Sequence, residues 1–383
     1  MDKKNWQPDG DLQRSCLLPP KDSFERNFGK VCRLTSALPI ISNRAIKITN
    51  IRLNDEMPGL RDYEASLLKL VDKLTNGSKI VINETGTAVT FSPGQLTGGK
   101  ISHECATGRS VIYYLEIVAA MAPFCKEPVV LQLKGSTHDE HDNSVDIFRS
   151  VTIPLLQKLG ISKTEDASLS FRVVSRGFGP DATGSVIFTC PILRHIEPVE
   201  LLNEGLVSRI RGVFWSSQMN REFAPRFVDT VRGILNQCVE DVWIYTENVK
   251  NSSEPVFGVS LMSETNYGFF KGVSCIEKDP ANIEKVAKTV SKTLMHSIDK
   301  NGVCDMSHQW LVCLFMALAQ DHKVSSCIIG NELSSSTIEF LRYIQKFLLV
   351  KFNISRVEPD NDDSPIKLEC IGINMSNTAR KSL

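Results

Sequence analysis

The sequence predicts an α/β fold of the α+β kind, in which a large domain contains three repeated helix-and-sheet units and a small α/β domain is inserted into it. Three observations lead to this prediction. Three segments share one order of helices and short strands, this order changes between residues 191 and 275, and 42% of the residues are hydrophobic, as in packed globular proteins. The predicted organisation is a flexible leader at 1–23, a large domain at 24–190 and 276–383, and an insert domain at 191–275.

The first unit begins with an amphipathic helix predicted near 60–75. A turn at Pro58 and Gly59 precedes it, and its apolar residues recur at spacings of three and four, which gives the helix one buried face. Arg61 lies beside the free N–H groups of the helix start, where an anion is favoured; pairing with a nearby carboxylate is the alternative. After this helix, two strands are predicted to form a hairpin-like pair at 79–83 and 87–91.

The second and third units repeat this alternation of helices and strands. After a glycine-rich loop at 92–100, the second unit is predicted to contain helices near 107–121 and 144–159 and strands at 129–135, 169–177 and 184–190. The third unit is predicted to contain helices near 281–298, 305–320 and 336–350 and strands at 325–330, 354–358 and 366–373. Because sequence similarity between the units is weak, the order of the elements alone predicts the repeat.

The insert is predicted to contain a helix near 221–237 and strands at 209–215, 242–247, 257–265 and 267–274. Arginines are concentrated in it, and Phe214 and Trp215 lie among them. Clustered arginine with exposed aromatic side chains is typical of a protein or RNA interface, whereas burial of Trp215 in the core is the alternative. The candidate partner-binding residues are Arg209, Arg211, Arg221 and Arg226.

The composition argues against several classes of protein. Lysine and arginine together number 44, as do aspartate and glutamate, so nucleic-acid binding needs a local basic patch. The eleven cysteines are scattered without CxxC spacing, which indicates small buried residues in a reducing compartment. No apolar run is long enough to span a membrane, so no membrane association is expected. His138 and His141 lie in an acidic loop that we expect to be solvated, and no metal site is predicted.

A series of separated motifs runs from about Phe28 to Met375. They are IRLNDEMPGLRDYEASLLKLVDKLTNGSKI (51–80), NETGT (83–87), YYLE (113–116), LKGSTHDE (133–140), SVD (144–146), SRG (175–177), IFTCP (187–191), SRIRG (208–212), TIEFLR (337–342) and CIGI (370–373). In this order they resemble the RNA 3′-terminal phosphate cyclase family, most closely its cyclase-like branch in ribosome biogenesis. The resemblance implies three α/β units like the C-terminal domain of bacterial translation initiation factor three, with a small insert domain.

The resemblance also locates the reactive groups of the cyclases, and this chain lacks them. Where the cyclases carry a nucleophilic histidine, the chain has Ser335 or Ser336, and Trp310 takes the place of an acidic residue. Near the N-terminus, Arg26 or Asn27 stands where a glutamate is expected. Adenylyl transfer needs an imidazole nucleophile and acidic groups for a metal. We therefore expect neither cyclase catalysis nor a cofactor.

The glycine-rich signature of the family is the fourth departure. The chain reads RGFGPDATGSVIF at 176–188, so side chains replace the glycine run and the loop approaches phosphates less closely. Basic residues remain around it and could hold an RNA phosphate without a metal; ordinary surface ion pairing is the alternative. The candidate anion- or RNA-binding residues are Arg61, Lys134, Arg176, Arg33 and Arg52.

The resemblance implies a non-catalytic factor of the nucleus and nucleolus that acts in pre-rRNA processing and 40S maturation. Its implied partners are a ribosome-assembly GTPase and the pre-rRNA of the small-subunit processome. The first alternative is an endonuclease that cuts pre-rRNA, with Asp321 and Lys323 as candidate groups. A residual RNA 3′-phosphate cyclase is a third possibility, disfavoured by the four departures.

Overall fold

The computed structural model of the protein describes residues 16–17, 37–161, 168–179, 184–220, 222–249 and 255–377. Within them the chain forms four four-stranded sheets and one two-stranded sheet. Apart from Cys16 and Leu17, the predicted leader lies outside the described residues, as do Arg33 and Arg221.

The first sheet has the strand order β1-β2-β5-β4. Its strands are β1 (Cys16–Leu17), β2 (Ile46–Ile48), β4 (Lys79–Ile82) and β5 (Val89–Ser92). Helix α1 (Asp62–Leu74) lies between β2 and β4 in the chain, and a short ribbon of β3 (Thr75–Asn76) and β6 (Gln95–Leu96) follows it. Strands β1 and β2 are parallel, and the other neighbours are antiparallel. The hairpin predicted after α1 is therefore formed by β4 and β5.

The second sheet has the order β7-β8-β10-β9. Its strands are β7 (Gly99–Glu104), β8 (Val129–Lys134), β9 (Ser170–Ser175) and β10 (Ser185–Cys190). Helix α2 (Val111–Met121) connects the first two strands. Helix α3, which precedes β9, runs through Val145–Ile147, a π-helical stretch at Phe148–Thr152 and a last part at Ile153–Lys158.

The third sheet has the order β11-β16-β18-β17. Its strands are β11 (Glu200–Leu201), β16 (Ser325–Ile328), β17 (Asn353–Arg356) and β18 (Ile366–Cys370). Helices α6 (Gln309–Leu318) and α7 (Ser335–Leu348) lie on either side of β16 in the chain. Residues 200–201 were predicted to belong to the insert, but they pair with β16 of this sheet.

The three sheets share one topology. In each, the spatial order is first, second, fourth, third strand; the first two strands are parallel, and the other pairs are antiparallel. A mixed helix-and-sheet fold is thus confirmed, and its units recur in pairing direction as well as in element order. The likeness to the translation-factor domain remains a prediction.

The insert forms a fourth sheet with the order β13-β12-β14-β15. Its strands are β12 (Val207–Ser217), β13 (Val242–Asn248), β14 (Val256–Thr265) and β15 (Phe270–Glu277), and its helices are α4 (Phe223–Leu235) and α5 (Ile283–Asp299). Phe214 of β12 packs with Phe227 of α4 and with Phe257 of β14. These side chains and the apolar stripe of α5 form one buried cluster.

Helix α5 was predicted to open the third unit, but it packs in the insert. Its buried residues Val290 and Leu294 share a cluster with Phe214 and Phe227. The sequence shows that α5 has one apolar face, as its period indicates, but not which sheet covers that face. Chain order favoured the following unit, whereas the packing joins α5 to the preceding sheet.

The main core surrounds two apolar helices. All residues of α6, and all of α2 except Glu116, are buried, as expected for helices that are hydrophobic on every side. Among the described residues, no helix is both long and apolar enough to cross a membrane. Most cysteines of the described part, including Cys125 and Cys313, are buried free thiols.

A substitution at Gly258 tests how tightly the core of the insert is packed. A methyl group added at Gly258 would overlap the buried indole of Trp215 on the neighbouring strand. We expect Gly258→Ala to lower the free energy of unfolding by about 1–3 kcal/mol, because a filled core resists overpacking. Urea denaturation measures this change.

Gly233 in α4 provides the control, because a methyl group there meets no atom within 4 Å. Gly233→Ala should instead stabilise by roughly 0.4–1 kcal/mol, since alanine favours a helix and restricts the unfolded chain. Equal stability of wild-type protein and Gly258→Ala would contradict the proximity of Trp215.

Candidate functional site

The entry to α1 is held by a buried carboxylate. Glu64 is fully buried and accepts two hydrogen bonds from Arg52, at 2.8 and 2.5 Å, and one from the backbone N–H of Arg61 at 2.9 Å. Arg52 also donates to the carbonyl of Gly59 at 3.1 Å. The turn, the helix start and the preceding segment are thus joined through one ion pair.

The arginine at the helix start also has an acidic partner. Arg61 Nη2 lies 2.8 Å from Asp55 Oδ2, and its Nη1 donates to the carbonyl of Met57 at 2.9 Å. Lys134 lies 3.5 Å from Glu104 on the neighbouring strand, and both side chains are exposed. Arg52, Arg61 and Lys134 are therefore all ion-paired, which is the alternative given for the basic candidates in the sequence analysis.

Arg176 is buried at the junction of the second sheet and the insert. It binds both carboxylate oxygens of Asp146 in α3, at 2.8 and 2.9 Å, and its Nε donates to Glu247 of β13 at 3.0 Å. Burial opposes ionisation of Asp146, whereas the hydrogen bonds and the charge of Arg176 favour the anion and hold its pKa well below the usual range. Arg176 therefore joins two parts of the fold.

His138 lies beside this ion pair and is also buried, with 5% of its surface exposed. The indole N–H of Trp215 donates to His138 Nε2 at 3.1 Å, so Nδ1 carries the proton and faces the hydroxyl of Thr137 at 3.0 Å. Burial lowers the pKa of His138, in agreement with this neutral form. The prediction that His138 lies in a solvated loop is therefore wrong, because the insert covers this side chain.

Two further contacts strengthen the junction. Phe178 stacks on Trp215 with ring centroids 3.9 Å apart, and the hydroxyls of Ser144 and Ser260 lie at 2.7 Å. Trp215 is fully buried, so the alternative given for it, a place in the core, is correct. A strand packed on both faces buries a tryptophan that its sequence alone leaves ambiguous.

A cavity of about 540 Å³ opens beside the junction, with Arg109, His138 and Lys278 in its wall. Arg109 binds Asp142 with two hydrogen bonds, at 2.9 and 2.7 Å, and its guanidinium lies 5.0 Å from the ring centroid of Tyr113. Sequence reasoning missed Arg109. In the sequence, Arg109 only precedes Tyr113 and Tyr114, and this order does not indicate a cation–π contact. The contact forms because the fold brings the guanidinium over the Tyr113 ring.

Comparison with known proteins decides the family. A family model described as RNA 3′-terminal phosphate cyclase matches residues 26–354. The chain belongs to this family. Its relatives include the RNA 3′-terminal phosphate cyclase-like protein of Mus musculus, 38% identical over 355 residues, which are 90% of this chain and 94% of that protein. The rRNA processing protein rcl1 of Schizosaccharomyces pombe is 31% identical over 350 residues, 90% of this chain and 94% of its own length.

As a member of the RNA 3′-terminal phosphate cyclase family, the chain has Ser335 and Ser336, where the resemblance places the nucleophile, in the first turn of helix α7. Ser334 is the N-cap of α7, and its hydroxyl accepts a hydrogen bond from the N–H of Thr337 at 3.1 Å. The same hydroxyl lies 3.0 Å from that of Ser336 and 2.7 Å from that of Thr337. The Ser334 hydroxyl thus satisfies one free N–H group of the helix start, and the other two hydroxyls are hydrogen-bonded to it.

Trp310, predicted at an acidic position of the cyclases, is buried in α6 and meets the ring of Phe340 edge-on, with centroids 5.6 Å apart. Next to it, Gln309 donates to the carbonyl of Glu332 at 2.9 Å and accepts from the N–H of Ser334 at 2.9 Å. Packing and backbone hydrogen bonds thus occupy this corner. Arg26, Asn27 and residues 180–183 of the altered glycine-rich loop lie outside the described residues.

His308 at the start of α6 was not singled out from the sequence. Its Nδ1 lies 2.7 Å from Asp305 and its Nε2 lies 2.7 Å from the hydroxyl of Thr152, and all three side chains are buried. Burial disfavours the imidazolium, but Asp305 outweighs it and raises the pKa of His308. Nowhere in the described ranges do three or more His, Cys, Asp or Glu side chains form a group that could hold a metal ion.

The insert arginines are paired with acids. Their partners are Glu264 for Arg209, Asp241 for Arg211 and Glu284 for Arg226. Two exposed aromatic side chains of the insert, Trp243 and Tyr245, lie on the edge strand β13, with 50% and 59% of their surfaces exposed. The guanidinium of Arg232 lies 5.2 Å from the ring centroid of Trp243. The aromatic surface expected in the insert thus lies one strand away from Trp215.

The candidate endonuclease residues lie in the exposed loop between α6 and β16. Lys323 pairs with Glu200 of β11 at 2.9 Å, and Asp321 is exposed. The ion pair links this loop to the third sheet. No contact joins Asp321 to a second carboxylate among the described residues, so the arrangement of a hydrolytic site is not formed there.

The buried pair of Arg176 and Asp146 gives a stability prediction with a pH dependence. Arg176→Met should lower the free energy of unfolding by about 3–5 kcal/mol at pH 7, because a buried carboxylate then lacks its partner. The folded-state pKa of Asp146 is depressed, so its stabilising effect is present above the unfolded pKa near about 3.9 and is lost as the pH falls below it. The difference between variant and wild type should therefore shrink below about pH 4.

Urea denaturation across pH 3 to 7 measures this difference. The double variant Arg176→Met with Asp146→Leu removes both charges and should recover much of the lost stability. A destabilisation of Arg176→Met that is the same at every pH would contradict the role given to Asp146.

Proposed function

We propose that this protein is a non-catalytic member of the RNA 3′-terminal phosphate cyclase family that acts in rRNA processing. The fission yeast relative, an rRNA processing protein, supports the process. The observation behind the non-catalytic proposal is that Ser335 and Ser336, where the cyclases are expected to carry their nucleophile, form the start of helix α7 directly after its N-cap Ser334. An uncharged hydroxyl in a cap is a poor nucleophile without an adjacent base.

The finer proposal is a role in small-subunit biogenesis. We place the protein in the nucleus and nucleolus, in pre-rRNA processing and 40S maturation within the small-subunit processome. Its proposed protein partner is a ribosome-assembly GTPase. Support comes from the retained scaffold: the buried pairs Arg52–Glu64 and Arg176–Asp146 keep the fold rigid without any chemistry.

The proposed surface for the GTPase is the exposed end of the insert sheet that β12 and β13 form beyond the junction. Arg209 and Arg211 lie on β12, and Trp243 and Tyr245 lie on β13, where Trp243 is directly opposite Arg211 in the parallel register. Aromatic side chains with neighbouring arginines carry most of the binding energy in many protein interfaces. Because Arg209 and Arg211 are already oriented by Glu264 and Asp241, they lose little freedom on binding.

Cyclase chemistry is tested by incubating the purified protein with radiolabelled ATP and magnesium. We expect no covalent AMP adduct, because the capping serines offer no imidazole. An active cyclase of the same family serves as the positive control. A labelled adduct that survives denaturation would contradict the non-catalytic proposal.

The GTPase surface is tested by binding a purified ribosome-assembly GTPase to Trp243→Ala with Tyr245→Ala. Loss of two hot-spot side chains, at about 2 kcal/mol or more, should weaken binding at least about 30-fold. Tyr267→Ala, which removes an equally exposed tyrosine from the β14–β15 turn, is the matched control. Equal affinities for both variants would exclude β13 from the interface.

A further inference from the structure

A polar groove of about 650 Å³ lies between helix α1 and the edge strand β7. Its wall includes Ser66, Lys69, Lys73, Ser102, His103 and Glu104. The apolar face of α1 is turned into the core, so this groove uses the opposite, polar side of the same helix.

The spacing of residues along α1 brings the groove together. Ser66, Lys69 and Lys73 recur at intervals of three and four residues, which places them in one row on the helix surface. On β7, Ser102 and Glu104 point outward and His103 between them points inward, as alternation along a strand requires. The row of lysines therefore runs along a strand edge.

A buried polar pair forms the floor of the groove. The hydroxyl of Ser66 lies 2.9 Å from His103 Nε2, and both side chains are largely buried. Above them, the ammonium of Lys73 donates to the carbonyl of Ser102 at 3.0 Å, so it is held over the strand. Lys69, one turn earlier, is exposed. One lysine is thus positioned and the other is mobile enough to adapt to a ligand.

At the floor of the groove, the two lysines affect His103 more strongly than the acidic Glu104 does. Burial, followed by the nearby Lys73 and Lys69, lowers the pKa of His103 to about 4 and outweighs the opposing effect of Glu104. The other charged groups that face this place are Asp62 at the start of α1 and Lys134, which pairs with Glu104 at 3.5 Å. A site where two lysines disfavour a cation favours an anion.

We propose that this groove binds backbone phosphates of single-stranded RNA. Lys69 and Lys73 each contact a phosphate; their side chains leave the helix about 6 Å apart along its axis, within reach of neighbouring phosphates of one strand. Lysine and serine are common phosphate contacts, and β7 is an edge strand, so no further strand covers this side of the groove among the described residues. This proposal rests on the proposed rRNA-processing role in one respect: that role identifies the bound RNA as precursor rRNA.

The salt dependence of RNA binding tests the two contacts. Affinity for a short single-stranded RNA is measured by fluorescence anisotropy over a series of KCl concentrations, for wild-type protein and for Lys69→Gln with Lys73→Gln. Two lost phosphate contacts should reduce the slope of log affinity against log salt by about 1.4. Lys288→Gln with Lys292→Gln on α5 removes two exposed lysines at the same spacing and should leave the slope unchanged.

The imidazole of His103 reports occupation of the groove directly, by NMR titration. Bound RNA should raise the pKa of His103, because a phosphate offsets the two lysines. Inorganic phosphate, tested alone, should raise it only at much higher concentration. A response to inorganic phosphate but not to RNA would overturn RNA as the ligand.

The outcomes separate this proposal from the wider function. If the lysine variant and the wild type show the same slope, RNA binds elsewhere and the groove proposal fails while the rRNA-processing role stands. If the wild type binds no RNA, forms no AMP adduct and binds the GTPase as expected, the proposal of direct RNA contact fails while the wider function stands. An unchanged pKa of His103 in saturating RNA would also overturn the proposal.

Discussion

A buried ion pair between Asp146 and Arg176 holds together parts of the chain that are far apart in sequence. Asp146 lies in the first turn of α3, Arg176 follows β9, and the same guanidinium reaches Glu247 in the insert. Charges inside a protein are costly unless they are paired, so each of these elements is constrained to one position. The junction of the second sheet and the insert, with His138 and Trp215 against it, depends on this arrangement.

The same principle applies at the entry to α1, where Glu64 gathers Arg52 and the backbone of Arg61. In both places a basic residue that could hold an anion is satisfied by a carboxylate from within the fold. The scaffold of a nucleotide-processing family is therefore kept by internal charge pairs. Around α7, a serine caps the helix and the ring of Trp310 packs against Phe340, which agrees with the proposal that the groups for transfer are absent.

The local pattern of apolar residues and turns was sufficient to predict most helices and strands of the fold. The period of α1, the turn before it and the alternating strands around it are read from neighbouring residues, which is why helix Asp62–Leu74 and the β4–β5 hairpin were predicted well. Helix α5 shows what local pattern cannot predict. Its amphipathic sequence indicates one buried face but not which sheet covers that face.

The candidate site was less predictable for a related reason. Arg176 and Arg52 were identified as basic residues worth attention, but their acidic partners lie 30 and 12 positions away, and only the folded chain brings them together. His138 looked solvated in an acidic loop, and Trp215 looked ambiguous, because the insert that buries both is distant in sequence. The lysine groove was also missed: its two walls come from α1 and β7.

The central proposal is that this protein binds precursor rRNA through its surfaces and performs no reaction on it. Ultraviolet crosslinking in cells, followed by sequencing of the bound RNA and mapping of the crosslinked peptides, tests this claim most directly. The account predicts crosslinks to precursors of the small-subunit rRNA, with peptides from α1 and β7 among the contacts. Crosslinks restricted to RNA 3′ ends that carry cyclic phosphates, or an absence of precursor rRNA, would contradict it.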